Sequence, residues 1–459
     1  MSGTGPRTAS AGAGDWSLAV DFGTSSSSAA VVRPGAEPRL IAEPGEPKLA
    51  WPSAVFADGD RLLTGSRAEA LKAQDPLRFR DEFKRNIGQA EPIRLGDRSC
   101  SPRELVEAVI ADLKEAAEEV VGAPVTRTVL TIPASYTHRP HHRALMIEAA
   151  RGAGLDTVDL LPEPVAAAFA SLPGRPLAAG DRVLIYDLGG GTFDTAVIQV
   201  GSRYAVLGHD SASCGGSDLD AELIRKLSAH NKDWHAAQLD ALSPGDPGRA
   251  ERLYRVRLGE LAREMKHELT ESPTAARSIA GAPAMRMSAN DLRSLAGDLL
   301  GETVDCCQNL LARLKLNVAD IAAVILVGGS TRMPMVAAYL KAKLGLPDGV
   351  LRTAVQPDLA VVQGAARWAA ANPIPTLISA RHRPGTVLLR WDLPAARLTR
   401  WLVSPGQKYD AGTPLARTRL ADGTMWELRA SAPGRFVQEF LGENQDIAKD
   451  QWIALAQTS

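Results

Sequence analysis

Val183-Leu184-Ile185-Tyr186-Asp187-Leu188-Gly189-Gly190-Gly191-Thr192-Phe193-Asp194 is an apolar run that ends on an acid, turns through three glycines and a threonine, and starts back. Thr195 to Val200 continues as an alternating returning strand. The arrangement also stands earlier, where Leu18-Ala19-Val20 runs into Asp21-Phe22-Gly23-Thr24-Ser25-Ser26 and a second short strand covers Ala29 to Val32. Strand, tight turn and antiparallel return make a hairpin signal. Its recurrence implies an internal duplication, two related α/β halves. Asp21 and Asp187 each sit at the carboxyl end of their strand, where the backbone aims a side chain into a cleft. Gly189, Gly190 and Gly191 let the backbone come close to a phosphate, and Thr24, Ser25 and Thr192 add hydroxyl donors. Two carboxylates facing each other across a cleft suit hydrated Mg²⁺, which reaches protein through one or two acidic groups.

Composition narrows the rest. The 459 residues carry 52 basic and 53 acidic side chains, a formal net charge of −1, so nothing electrostatic favours a nucleic-acid or anionic-membrane partner. Hydrophobic residues at 45% with 23% charged describe a globular chain of two to four domains, and no run approaches the roughly 18 apolar residues of a membrane span. Cys100, Cys214, Cys306 and Cys307 form no C-x-x-C pair, which argues against a disulfide framework or a zinc site. Residues 1–15 read as a loose tail without a signal-peptide pattern, on a cytoplasmic protein.

Between the hairpins, Ser101-Pro102-Arg103-Glu104 opens a helix with a capping box and Pro at its first position; Leu105, Val106, Val109, Ile110 and Leu113 share one face, and Gly122 stops it. Thr128 to Ile132 is a strand. Ala221 to Leu227, Glu251 to Leu269 and Asp291 to Leu314 read as amphipathic helices. Ile321 to Val327 is a buried strand entering Gly328-Gly329-Ser330-Thr331-Arg332-Met333-Pro334.

Taken in order, these motifs resemble the ATPase domain of the Hsp70 chaperones, in the actin/hexokinase/Hsp70 superfamily, over residues 16–372. The first and second phosphate loops are Val20 to Ser25 and Asp187 to Asp194, and Val327 to Pro334 is the adenosine loop. Pro162-Glu163-Pro164-Val165-Ala166-Ala167-Ala168 and the segment from Gln356-Pro357-Asp358 to Gly364-Ala365-Ala366 correspond to the two crossing helices. The resemblance implies an α/β fold of two ribonuclease-H-like lobes, 16–180 and 181–372, around a nucleotide cleft. It further implies slow ATP hydrolysis to ADP and phosphate with Mg²⁺, and K⁺ as a candidate second cation. Carried over residue by residue, Lys84 contacts the γ-phosphate and attacking water, Asp194 orients that water and Thr192 meets the γ-phosphate. Asp21, Glu163 and Asp187 face the metal through water, and Gly23, Thr24, Ser25, Ser26 and Gly189 to Gly191 bind phosphates. Lys266, His267, Thr270, Gly328, Gly329, Ser330, Arg332 and Asp358 hold the nucleoside, while Pro133 and Arg143 relay nucleotide state. Arg263 stands where the family has Glu. The segment Ser135 to His142 is two residues longer than in the family; its His138, His141 and His142 have no further ligand at metal spacing and read as a solvated loop. Gly364 with Ala167 or Ala168 allows close approach of the crossing helices, a hinge.

The C-terminal texture differs. Residues 373–385 read as a linker, and β segments follow at Val387 to Trp391, Arg397 to Val403, Trp426 to Ala430, Phe436 to Leu441 and Trp452 to Ala456. Leu402 to Ala416 and Leu441 to Ala454 are two copies of one unit, with Gly406 answered by Asn444 and Gly412 by Asp450. The 386–459 segment resembles a biotinyl/lipoyl-like barrel-sandwich hybrid whose connecting hairpin, Leu420 to Trp426, lacks the modified lysine. Trp401, Trp426, Phe440 and Trp452 are expected in its core. Neither the acidic, leucine-rich linker nor the peptide-binding domain and lid of the chaperones is recognised. The resulting expectation is an Hsp70-like ATPase whose β module meets a protein client or partner, with an exchange factor or a J-domain protein as candidate helpers. The alternative is a nucleotide-dependent switch or scaffold with weak turnover. A sugar kinase or actin relative is disfavoured by Lys84 and the form of the second loop.

Overall fold

The two hairpins seed two sheets built alike. The computed structural model describes residues 16–89, 91–125, 127–155, 157–201, 204–279, 282–371, 386–391, 396–420, 423–430, 432–447 and 451–458; the expected tail and linker lie outside them. In the first sheet β1 (Ser17–Phe22) pairs antiparallel with β2 (Ser26–Val32), and β2 with β3 (Arg39–Leu40). On its other side β1 runs parallel to β4 (Arg127–Ile132), and β4 to β5 (Val158–Pro162). The second sheet repeats every step. β6 (Arg182–Leu188) returns through β7 (Phe193–Gln199) to β8 (Ala205–Ala212), and lies parallel to β9 (Ala323–Val327), then β10 (Leu351–Thr353). The spatial order β3-β2-β1-β4-β5 therefore recurs as β8-β7-β6-β9-β10.

Helices α1 (Pro102–Val121), α2 (Pro140–Gly152), α3 (Glu163–Ala168), α4 (Gly216–His230), α5 (Pro247–Glu271), α6 (Gly297–Arg313), α7 (Pro334–Leu344) and α8 (Ala360–Ala371) complete the layers. The central strands are apolar on both faces because both faces are covered. Leu18, Val20 and Phe22 pack under α1 and α2, and Leu184, Tyr186 and Leu188 pack under α4, α5 and α6. Between the sheets, Ala19, Ala30 and Val129 meet Val183, Ile185 and Ala196 together with α3 and α8. Small side chains bring the crossing helices close. A Cβ on Gly364 would collide with the Ala166 carbonyl oxygen and crowd the Ala170 nitrogen, and Ala167 and Ala168 are buried in the same cluster as α8.

Local rules held at α1, where the Ser101 hydroxyl accepts from Glu104 N, the Glu104 carboxylate accepts from Ser101 N at 2.7 Å, and Gly122 closes the helix at φ 67°. The expected single helix over Asp291 to Leu314 is two. Ser288 caps Ala289–Leu295, and α6 starts afresh at Gly297, a weak helix former that lets the chain turn while Leu292 and Leu300 both stay in the core. Among the described residues no helix is long and apolar enough to cross a membrane.

Past residue 385 the described strands are β11 (Thr386–Trp391), β12 (Ala396–Trp401), β13 (Lys408–Tyr409), β14 (Pro414–Leu420), β15 (Met425–Arg429), β16 (Gly434–Glu439), β17 (Asp446–Ile447) and β18 (Gln451–Thr458). They pair in two sheets of order β11-β18-β16-β13 and β15-β14-β12-β17. Trp391, Leu398, Leu415, Phe436 and Ile453 fill the space between. Gly406 and Asn444 both adopt positive φ, 89° and 66°, as corresponding turns of the two copies; Asp450 lies outside the described residues. β14 was not expected from the sequence, because its alternation starts only after Pro414-Leu415-Ala416. Trp401 is buried and its indole N–H reaches Leu441 O at 2.8 Å, whereas Trp426, expected in the core, is 44% exposed because β15 is an edge strand.

Candidate functional site

The site forms where β1 and β6 end. Their turns touch: a Cβ on Gly190 would overlap the Ser25 hydroxyl, and one on Gly191 would overlap the Arg85 guanidinium and crowd Thr24. The absence of a side chain at these two positions lets the turns approach this closely. Gly189 N donates to Thr192 O at 3.0 Å, and the carbonyls of Gly189 and Gly190 accept from Gly216 N at 3.1 Å and Ser217 N at 2.6 Å, which docks the start of α4 onto the second turn. Ser330 Oγ donates to Gly189 O at 2.8 Å, bringing the loop after β9 to the same place.

Four carboxylates and one lysine converge on the turns. Lys84 is carried on the single turn Phe83–Asn86, anchored by buried Phe83 packing on Phe22 at 6.0 Å. Its Nζ lies 2.9 Å from Glu163 Oε1, with the two side chains only 8% and 10% exposed. Asp21 Oδ1 accepts from Thr131 Oγ1 at 2.7 Å. Burial, then the charge of Glu163, pushes Asp21 up to about 6 despite Lys84 and Thr131. The same two causes push Asp194 up to about 7, against Lys84 and a hydrogen bond from Thr192. Asp187 is held well above the usual range by burial and by Glu163, Asp194 and Asp21. Burial alone would lower Lys84, but Glu163 and Asp21 hold it above its ordinary value. Negative charge is thus in excess at the point where the duplicated turns meet. Among the described residues no three His, Cys, Asp or Glu side chains stand close enough to ligate one ion directly. The donor set is all oxygen, so it fits a hydrated hard cation held through its waters.

Tyr136 went unnoticed in the sequence. It is buried, and its phenol feels Lys84, Glu163 and Asp194, while burial raises its own pKa. Its signal was its position, three residues beyond Pro133 in the lengthened segment. That segment is also not the expected solvated loop: Ala134–His138 is a single turn, and His141 and His142 open α2, with the His142 ring packed 4.9 Å from Tyr136. The side chain of His138 lies outside the described residues. Pro133 precedes that turn, and Arg143 is half-buried on α2 with its pKa lowered by burial; among the described residues no ion pair ties Arg143 to the carboxylates.

The nucleoside set is gathered but occupied with protein partners. Lys266 Nζ lies 2.8 Å from Asp220 Oδ1 and donates to Gly216 O at 3.0 Å, Thr270 Oγ1 donates to Lys266 O at 3.0 Å, and His267 is exposed. Arg332 pairs with Asp358, its Nε 3.2 Å from Oδ1, and a Cβ on Gly329 would come into ordinary contact with the Asp358 Cβ. Gly328, at φ 86°, sits so close to Leu188 O and Asp187 Oδ1 that a side chain there is excluded. Arg263 reaches across to Glu69 at 3.5 Å. With Ser217 Oγ donating to Glu82 Oε1 at 2.6 Å and Arg85 donating to Gly191 O, it links the two halves over the cleft.

The family model described as Hsp70 protein matches residues 90–372. The chain belongs to the Hsp70 family. The chaperone protein DnaK of Thermotoga neapolitana is 31% identical over 77% of this chain and 59% of its own length. DnaK of Halobacterium salinarum is 32% identical over 76% of this chain and 54% of its own. A mitochondrial-type heat shock protein 70 of Encephalitozoon cuniculi is 30% identical over 76% and 62%. This Hsp70-family chain therefore spans about three fifths of the length of the curated relatives it matches. The paired sheets and the contacting turns described above are the actin-like ATPase fold of the Hsp70 family.

Proposed function

We propose that this Hsp70-family chain binds ATP with Mg²⁺ between lobes 16–180 and 181–372 and hydrolyses it slowly to ADP and phosphate. The observation that carries the reading is the meeting of Asp21, Glu163, Asp187 and Asp194 with Lys84 at two glycine turns from opposite halves. The Gly23, Thr24, Ser25, Ser26 turn and the Gly189, Gly190, Gly191, Thr192 turn supply N–H and hydroxyl donors to the phosphates. Lys84, aimed by Glu163, faces the γ-phosphate and the attacking water, which Asp194 orients as proton acceptor. Asp21, Glu163 and Asp187 hold the ion through water, and the ion when bound neutralises charge on the phosphate oxygens. Arg332, Gly328, Gly329, Ser330, Lys266, His267, Thr270 and Asp358 shape the nucleoside end. Four free cysteines suit a reducing, cytoplasmic setting.

In this reading residues 386–459 form a small biotinyl/lipoyl-like β module that docks a protein client or partner, and the α3–α8 contact transmits cleft closure toward it. Exchange-factor and J-domain proteins are candidate helpers. The direct test is single-turnover hydrolysis by the wild type and Lys84→Ala. Mg²⁺-dependent phosphate release that Lys84→Ala removes is expected; no rate above background in the wild type overturns the reading.

A further inference from the structure

The outer face of the sheet β15-β14-β12-β17 carries arginines directly opposite one another. Arg397 on β12 faces Arg419 on β14, and Arg400 faces Arg417, all four exposed. Like charges placed opposite each other destabilise a sheet. Two of the four are compensated: Arg397 donates to Asp446 at 2.8 Å, and Arg417 to Glu427 at 3.2 Å. Among the described residues Arg400 and Arg419 have no ion pair. Arg429 joins the same face two positions beyond Glu427 and donates to it at 2.7 Å. Five guanidinium groups thus stand against two carboxylates in a chain whose net charge is −1.

Beside this face lies an open sheet edge. β15 ends the strand order, so among the described residues its outer edge pairs with no strand. Met425, opposite Arg419, is 48% exposed, and its neighbour Trp426, on the other face, is 44% exposed. Leu428, two positions on from Trp426, is only half-buried. The edge strand therefore offers Trp426 and Leu428 inward and Met425, Glu427 and Arg429 outward at the strand period, with Arg417 and Arg419 one strand further in on β14.

We propose that β15 is the docking edge for an extended, acidic segment of a partner protein, which adds to the sheet as a further strand. Its alternate apolar side chains cover Trp426 and Leu428, and its alternate carboxylates meet Arg429 and, across Met425, Arg419. The inference rests on the reading of 386–459 as a docking module and supplies the chemistry of what docks. Glu427 and Asp446 among the arginines, and the exposed Met and Trp beside them, favour a protein strand over a phosphate backbone.

The test uses the full chain, a fluorescein-labelled peptide of alternating glutamate and valine, and anisotropy at low and high salt. Saturable binding that weakens with salt is expected, falling about tenfold or more in Arg419→Glu. Glutamate at 419 would face Arg397, so the melting temperature of this variant should hold or rise, and ATP hydrolysis should be unchanged. A proline-interrupted peptide of the same charge should fail to bind. Equal peptide affinity in the variant overturns the proposal, and so does an oligothymidylate that binds as tightly as the peptide. A nucleotide-dependent change in Trp426 fluorescence without peptide binding keeps the docking module and removes the acidic partner. Loss of hydrolysis with peptide binding intact removes the ATPase reading alone.

Discussion

Lys84 sits among Asp21, Glu163, Asp187 and Asp194, and its substitution has two separable consequences. Lys84→Ala leaves Glu163 buried without its partner, which should cost about 3–5 kcal/mol of stability by chemical denaturation. It should also lower single-turnover hydrolysis by about 100-fold or more. The raised carboxyl groups set a pH dependence. Asp21, near 6, and Asp194, near 7, bind protons more tightly folded than unfolded, where carboxyls titrate near 4. The protein free of nucleotide and Mg²⁺ should therefore lose stability as pH rises from about 4 through about 7. Mg²⁺ should raise the melting temperature more at pH 8 than at pH 5, and equal shifts would contradict the charge excess. The acids and Lys84 were legible in the sequence because each sits in a recognisable string. Tyr136 was not, since a buried phenol gains meaning only from what the fold places beside it.

At the scale of elements, α3 and α8 meet where Gly364 abuts the Ala166 carbonyl. Backbone cannot step aside as a side chain can, so Gly364→Ala should cost about 1–3 kcal/mol in a denaturation curve. If the contact is the hinge, ADP release, followed with a fluorescent analogue, should change in Gly364→Leu; an unchanged rate contradicts the hinge. Elements were readable wherever local chemistry and packing agreed, as in α1 with its cap and αL stop. The reading failed where they diverged. Asp291 to Leu314 has one apolar periodicity but breaks at Gly297, and Pro414 to Leu420 hides its alternation behind a proline. Trp426 was misplaced because side-chain type cannot tell an edge strand from a central one.

Across the whole molecule, one β-sheet order occurs twice, and the acidic tips of both copies share a single charge cluster. Duplication could be read from the two hairpins, but their convergence required the fold. Glu69 and Arg263 clasp the halves at the surface, where an exposed pair contributes under about 1 kcal/mol to stability. Glu69→Arg should therefore leave the melting temperature nearly unchanged while accelerating ADP release, and Glu69→Arg/Arg263→Glu should restore it. The central claim, that both hairpins hold one Mg²⁺-nucleotide, is tested most directly by calorimetric titration of ATP with and without Mg²⁺ into wild type, Asp21→Asn and Asp187→Asn. The Mg²⁺-dependent gain in affinity should be large in the wild type and fall in each variant alone, with the double variant no worse than the weaker single one. If either substitution leaves that gain intact, the two halves do not share the ion.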